Sequence, residues 1–149
     1  MIRTRKIPTM FIGVTMLLLA LAGCHHTPDE TQVRDAIATM AKGAKTGSTS
    51  DVVSPLTDDF DGNAGDMDRK SLTSMMRLIG LRGDHIGVTS GPITIEHHGD
   101  RMVAKLTITL SSGGRVLPDN LGVYSVESGW RKDDGKWRCY TASWTQPGQ

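Results

Sequence analysis

The sequence predicts an α+β domain, with helices packed on one face of a single antiparallel sheet. Three observations carry this. Apolar residues recur at helical spacing from Asp29 to about Gly80. From His85 the period drops to two, and Gly- and Asp-rich turns, with Asp133-Asp134-Gly135 the clearest, separate the alternating stretches.

A different kind of segment precedes the domain. Arg3, Arg5 and Lys6 give a positive start with no acidic residue before Cys24, and Met10 to Leu21 is almost wholly apolar. That run is too short for the roughly 20 residues a membrane-crossing helix needs, but suits the core of a signal peptide. Leu21-Ala22-Gly23-Cys24 closes it with small residues before a cysteine, the pattern of a bacterial lipoprotein signal. The expectation is a signal peptide over residues 1–23, a lipidated Cys24 with a short tether over 24–28, and one α+β domain over 29–145. The resemblance to bacterial lipoproteins implies fatty-acyl (palmitate-type) chains on Cys24 and a stable membrane anchor, since several chains hold where one is marginal. In Gram-negative lipoproteins an aspartate after the cysteine favours the inner membrane. Here His25 follows, so the expected location is the periplasmic face of the outer membrane.

Cleavage before Cys24 leaves 126 of the 149 residues, with 14 basic and 16 acidic, a formal charge of −2. No basic run survives, which argues against nucleic acid or an anionic lipid surface as a partner. With Cys24 acylated, Cys139 is the other of the two cysteines, so no internal disulfide forms and Cys139 reads as a small apolar strand residue.

Thr27-Pro28-Asp29-Glu30 has the form of a capping box with proline at the first helical position, and Val33, Ala36, Ile37, Met40, Ala41 and Ala44 follow on one stripe until about residue 46. A second, short helix is expected from Ser50 or Asp51 to Leu56, with Val52, Val53 and Leu56 inward and Phe60 plugging the core beside it. Asp61 to Gly65 reads as a loop. The aspartates in and around it, Asp58, Asp59, Asp61, Asp66 and Asp68, lack the spacing and terminal glutamate of a calcium loop. Asp68 caps a third helix whose inward residues are Leu72, Met75, Met76 and Ile79, stopped by Gly80 and Gly83.

Strands are expected at His85–Thr89, Ile93–His97, Arg101–Leu110, Gly122–Lys132 and Lys136–Thr145, with Val116 to Asn120 as loop or edge. Tyr124, Val126 and Trp130 share one face of the fourth.

The Asp59-Phe60 element after the second helix, the acid-capped third helix and the ending Trp130-Arg131-Lys132-Asp133-Asp134-Gly135-Lys136-Trp137-Arg138-Cys139-Tyr140 through Trp144 resemble the nuclear transport factor 2-like superfamily. The resemblance spans Asp29 to Trp144 and implies a cone: a strongly bent sheet wrapped around the first helix, with a pocket inside. Between Phe60 and Asp68 the chain is shorter than the strand pair many members carry there. That superfamily holds enzymes and binding modules alike, so the fold does not name the function.

Its enzymes place acid–base groups in the pocket, and the candidates here are His97 as a base and Tyr124 as a hydrogen-bond donor, although the favoured reading puts His97 at a strand end beside the His98-Gly99-Asp100 turn and Tyr124 in packing with its hydroxyl satisfied. No inward aspartate is available to complete such a mechanism. The adjacent pairs His25-His26 and His97-His98 lack metal-ligand spacing, so no metal and no cofactor is expected. The reading is a membrane-anchored envelope lipoprotein that binds without catalysis. Its partner is a small apolar ligand in the pocket, touched by His97, Tyr124 and Trp130, or an envelope protein on the open sheet face, where Trp130, Trp137 and Trp144 offer contact area unless, as the favoured reading has it, they serve core and sheet-face packing. A homodimer through the sheet is compatible with both. The alternative is a small-molecule enzyme of isomerase or dehydratase type.

Overall fold

A computed structural model describes residues 28–83, 86–112 and 122–148. The expected signal segment, Cys24, the expected Thr27 cap, His85 and the Val116–Asn120 stretch lie outside them. Helix α1 spans Asp29–Thr46; Pro28 holds the cap position without a side-chain bond, and Gly47 closes the helix in the left-handed region (φ 71°). Asp29 and Glu30 in its first turn and Lys45 in its last complement the helix dipole. The apolar stripe points inward as its spacing dictates. Val33 is fully buried, and Ala36, Ile37 and Met40 pack on the same core.

Helix α2, Thr49–Val53, is shorter than the sequence suggests. Ser48 caps it by accepting from the Asp51 amide, and Pro55, which has no N–H to extend the helix, marks its end. The Pro55 carbonyl instead accepts from the Cys139 amide at 2.9 Å. Leu56, expected as the last inward residue of that helix, opens strand β1, Leu56–Gly62, and is fully buried there. Phe60 plugs the core from β1. The loop expected from Asp61 therefore starts two residues late. Asn63, Ala64 and Gly65 turn the chain with φ of 49°, 56° and 98°, the Asp61 carboxylate accepts from the Gly65 amide, and a short β2, Met67–Asp68, pairs back antiparallel on β1.

Helix α3, Arg69–Arg82, starts on Asp68, whose carboxylate accepts from the Ser71 amide at 2.7 Å. Met76 joins Val52 and Val53 in a second cluster, flanked by Leu72 and Ile79. Two expectations fail here. The helix runs through Gly80 to a left-handed Gly83. Met75 is 41% exposed rather than buried, because the α2 contact takes the arc centred on Met76, a position 100° away around the helix.

The sheet comprises β1, β2, β3 (Ile86–Ser90), β4 (Thr94–His98), β5 (Arg101–Ser112), β6 (Gly122–Asp133) and β7 (Lys136–Thr145), in the order β2-β1-β7-β6-β5-β3, with β4 also paired to β5. It is mixed, not purely antiparallel. The last strand inserts between β1 and β6, and β1 runs parallel to it. Local periodicity carries no information on the direction of two strands some 80 residues apart. Asp134 (φ 50°) and Gly135 (φ 75°) form the two-residue turn joining β6 and β7, with Asp133 opposite Lys136.

One irregularity shapes the concave face. Gly129 pairs with Thr141 and Trp130 with Cys139, so Tyr140 is an extra residue in β7. This bulge reverses the alternation midway along the strand. Trp137 and Trp144, an odd number apart, would face opposite ways in a regular strand, yet both lie on the helix side: Trp137 in the core, Trp144 on the cavity. Trp130 is 1% exposed beside Val33, Leu56 and Met102. The tryptophans therefore do not offer contact area on the open sheet face, which instead carries Lys105, Thr107, Ser125, Glu127, Ser143 and Thr145.

Candidate functional site

The bent sheet and the helices enclose a cavity of about 460 Å³. Helix α1 contributes Ile37, Met40, Ala41 and Ala44 from its C-terminal half, and Val52, Phe60, Met67, Leu72 and Met75 close that side. The sheet contributes Val88 and Ser90 from β3, Leu106, Ile108 and Leu110 from β5, Tyr124, Val126, Ser128 and Trp130 from β6, and Cys139, Ala142 and Trp144 from β7. These positions follow from the strand period: on β5 and β6 the inward residues are the even-numbered ones, ending at the wide end with Leu110 and Tyr124.

The few polar groups on this wall are largely occupied. The Trp130 Nε1–H donates to Ser128 Oγ at 2.9 Å, and the Ser128 hydroxyl donates to the Ala104 carbonyl at 3.3 Å. Gln146 Nε2 donates to the Tyr124 hydroxyl at 3.2 Å. Cys139 Sγ donates to the Thr141 carbonyl, and burial pushes the thiol pKa up to about 12, so it is protonated at neutral pH. No carboxylate or imidazole lies among the described lining residues. Such a wall desolvates an apolar molecule at little cost and gives a charged one nothing to pair with.

Of the candidates named from the sequence, Tyr124 and Trp130 line this cavity and His97 does not. His97 sits at the end of β4, half exposed, with Nε2 2.8 Å from Glu30 Oε1 at the start of α1. The contact joins helix to sheet at the narrow end, beside the Lys132–Asp29 pair at 3.3 Å and the bond from Arg34 to the Ile93 carbonyl at 2.7 Å. Cys24 lies outside the described residues. Sequence reasoning missed Met67 and Trp144 as lining residues, while Met75, expected inward, lines the cavity and is partly exposed as well. The strand β2 is too short to leave a periodic signal, and only the bulge turns Trp144 inward.

The opposite sheet face holds a shallow polar depression of about 490 Å³ along Lys105, Thr107, Ser125, Glu127 and Ser143. Its charges neutralise one another, Lys105 lying 3.0 Å from Glu96 and 3.8 Å from Glu127.

No protein-family model matches the sequence, and no curated protein does either. Solved structures do match in shape. A nuclear transport factor 2-like protein with a cystatin-like fold from Novosphingobium aromaticivorans superposes with a TM-score of 0.65 at 16% identity, over 91% of this chain and 87% of the other. A protein described provisionally as a scytalone dehydratase, from the same organism, gives 0.67 at 12% identity over 78% and 83%. A protein from Bdellovibrio bacteriovorus gives 0.65 at 11% identity over 78% of this chain, which spans 41% of that longer one. At these identities the likeness concerns the fold. Helices packed against a strongly curved mixed sheet give this chain the nuclear transport factor 2-like, cystatin-like fold.

Proposed function

We propose that the chain is an exported, acyl-anchored lipoprotein of the bacterial cell envelope, held at the periplasmic face of the outer membrane, whose cone binds a small apolar ligand without transforming it. The observation that supports binding most strongly is the cavity wall: about 460 Å³ of space faced by aliphatic, methionine and aromatic side chains. Support for the anchor comes from the basic start, the apolar core and the Leu21-Ala22-Gly23-Cys24 ending. An isomerase or dehydratase would want a base beside the substrate, and the lining supplies only a Tyr124 hydroxyl and a protonated Cys139 thiol. The polar, self-neutralised outer face supports an interior ligand over an envelope protein or a second copy docked on the sheet.

Two measurements test this reading. Fatty-acid labelling should mark the wild-type chain and not Cys24→Ala, which should stay uncleaved or leave the membrane fraction. Equal labelling of both would refute the anchor. Solvent extraction of the protein purified from its own membranes, followed by mass spectrometry, should return one apolar compound in near-stoichiometric amount. Turnover of a small hydroxylated substrate, lost in Tyr124→Phe, would favour the enzyme instead.

A further inference from the structure

Helix α3 carries an apolar strip that nothing in the described fold covers. Met75, Leu78 and Leu81 recur every three residues along its outer side, and they are 41%, 48% and 86% exposed. At 100° per residue they span about a third of the helix circumference. Exposed Lys70 and Arg77 flank the strip beyond Leu81, exposed Arg82 lies within it between Met75 and Leu78, and no acidic residue lies between Asp68 and Asp84. The fourth cation of the helix, Arg69, is ion-paired with Asp58 on β1 and takes no part. Several cations elsewhere on the surface are ion-paired, Lys105 with Glu96 and Glu127, Arg131 with Asp59 and Lys132 with Asp29. An apolar strip accompanied by cations that form no salt bridge among the described residues is the composition of a helix that lies in a bilayer interface, its leucines among acyl chains and its long cationic side chains reaching the phosphates.

Met75 belongs to two surfaces at once. It is part of the exposed strip, and it lines the apolar cavity. The cavity wall therefore reaches the surface where the strip begins.

We infer that α3 docks on an anionic phospholipid surface through Met75, Leu78, Leu81, Lys70, Arg77 and Arg82, and that the cavity exchanges its ligand, a lipid, with that bilayer. The inference rests on the anchored, ligand-binding reading above and adds how the domain lies and where its ligand comes from. The absence of a basic run in the sequence does not oppose it, because the cations are dispersed along the chain and gathered by the helix. Residues 24–28 reach at most about 17 Å when extended, and α1 is about 27 Å long. Anchor and α3, which approaches the C-terminal end of α1 at Gly47, therefore meet one bilayer only with α1 lying roughly along it.

The test uses the full acylated chain in vesicles of phosphatidylcholine, with and without phosphatidylglycerol, carrying brominated acyl chains that quench a fluorophore. One probe is attached through Leu81→Cys and a second, separately, through Ser143→Cys on the outer sheet face; Cys139 is buried and does not label. With phosphatidylglycerol present, emission at position 81 should be quenched and emission at 143 retained, and Arg77→Glu with Arg82→Glu should abolish the quenching. A chain that sediments with the vesicles but shows equal emission at both positions overturns the docking and leaves the anchor standing. A chain that does not sediment overturns both. Protection of position 81 in whole membranes but not in protein-free vesicles assigns the strip to a protein partner and also overturns the proposal.

Discussion

Ser128 is a buried hydroxyl whose value lies in the indole it serves. It accepts from Trp130 Nε1 while donating to the Ala104 carbonyl, so one small side chain lets the largest core residue sit 1% exposed with its N–H satisfied. Ser128→Ala should lower stability by about 1–3 kcal/mol, the cost of an orphaned buried donor, with the fold retained; urea denaturation measures it. Cys139 gives a pH signature. Its thiol is pushed from 9.0 up to about 12, first by burial and with only a small opposing effect from its bond to the Thr141 carbonyl. The folded state thus keeps a proton that the unfolded chain gives up above pH 9. Its contribution is intact below that pH and falls by roughly 1.4 kcal/mol per pH unit between about 9 and 12. Denaturation midpoints at pH 8 and pH 10.5 should show this drop in the wild type and a smaller one in Cys139→Ala. The same burial should leave the thiol unreactive to exposed-thiol reagents until the protein unfolds.

At the scale of elements, the turn after β1 and the bulge in β7 set the cone's shape. Ala64 stands in the left-handed region (φ 56°) between Asn63 and Gly65, where a Cβ is costly and glycine is at ease. Ala64→Gly should therefore raise stability by about 0.5–1 kcal/mol, read as a higher melting temperature; a decrease would mean the backbone there is otherwise. Opposite the bulge, a side chain at Gly129 would meet the Thr141 methyl at 2.8 Å and the Tyr140 ring at 2.9 Å. Gly129→Val should destabilise by about 1–3 kcal/mol through overpacking, in the same assay. These elements also show how far the sequence could be read. The stripe of α1, the Asp68 cap, the Asp133-Asp134-Gly135 turn and the bounds of β7 are local patterns, and they were legible. Leu56 reads locally as helix, and the face of Trp144 stays open between core packing and outer contact, because a proline-ended helix and a bulge depend on a partner strand that local spacing does not reveal. The direction of β1 relative to β7 is hidden for the same reason.

Over the whole molecule, the Glu30–His97 and Asp29–Lys132 contacts close the narrow end of a cone whose described interior is lined mainly by apolar side chains. Tyr124 and Trp130 were recognisable as inward because they share parity with Val126. The reach of the cavity to Met75 was not, since it depends on which arc of α3 the neighbouring helix covers. His97 is a polar residue in phase with Ile93 and Ile95 whose place beside the His98-Gly99-Asp100 turn reads as a strand end, and the fold puts it there, against α1. The account stands on the apolar interior, and direct titration tests it. Residues 24–149 are titrated with the uncharged fluorophore N-phenyl-1-naphthylamine, alongside Ala142→Trp, whose indole would enter the cavity that Ala142 lines. Saturable one-to-one binding in the parent domain, lost in Ala142→Trp at an unchanged urea midpoint, is the expected result. Binding that is absent in both, or equally strong in both, would contradict it.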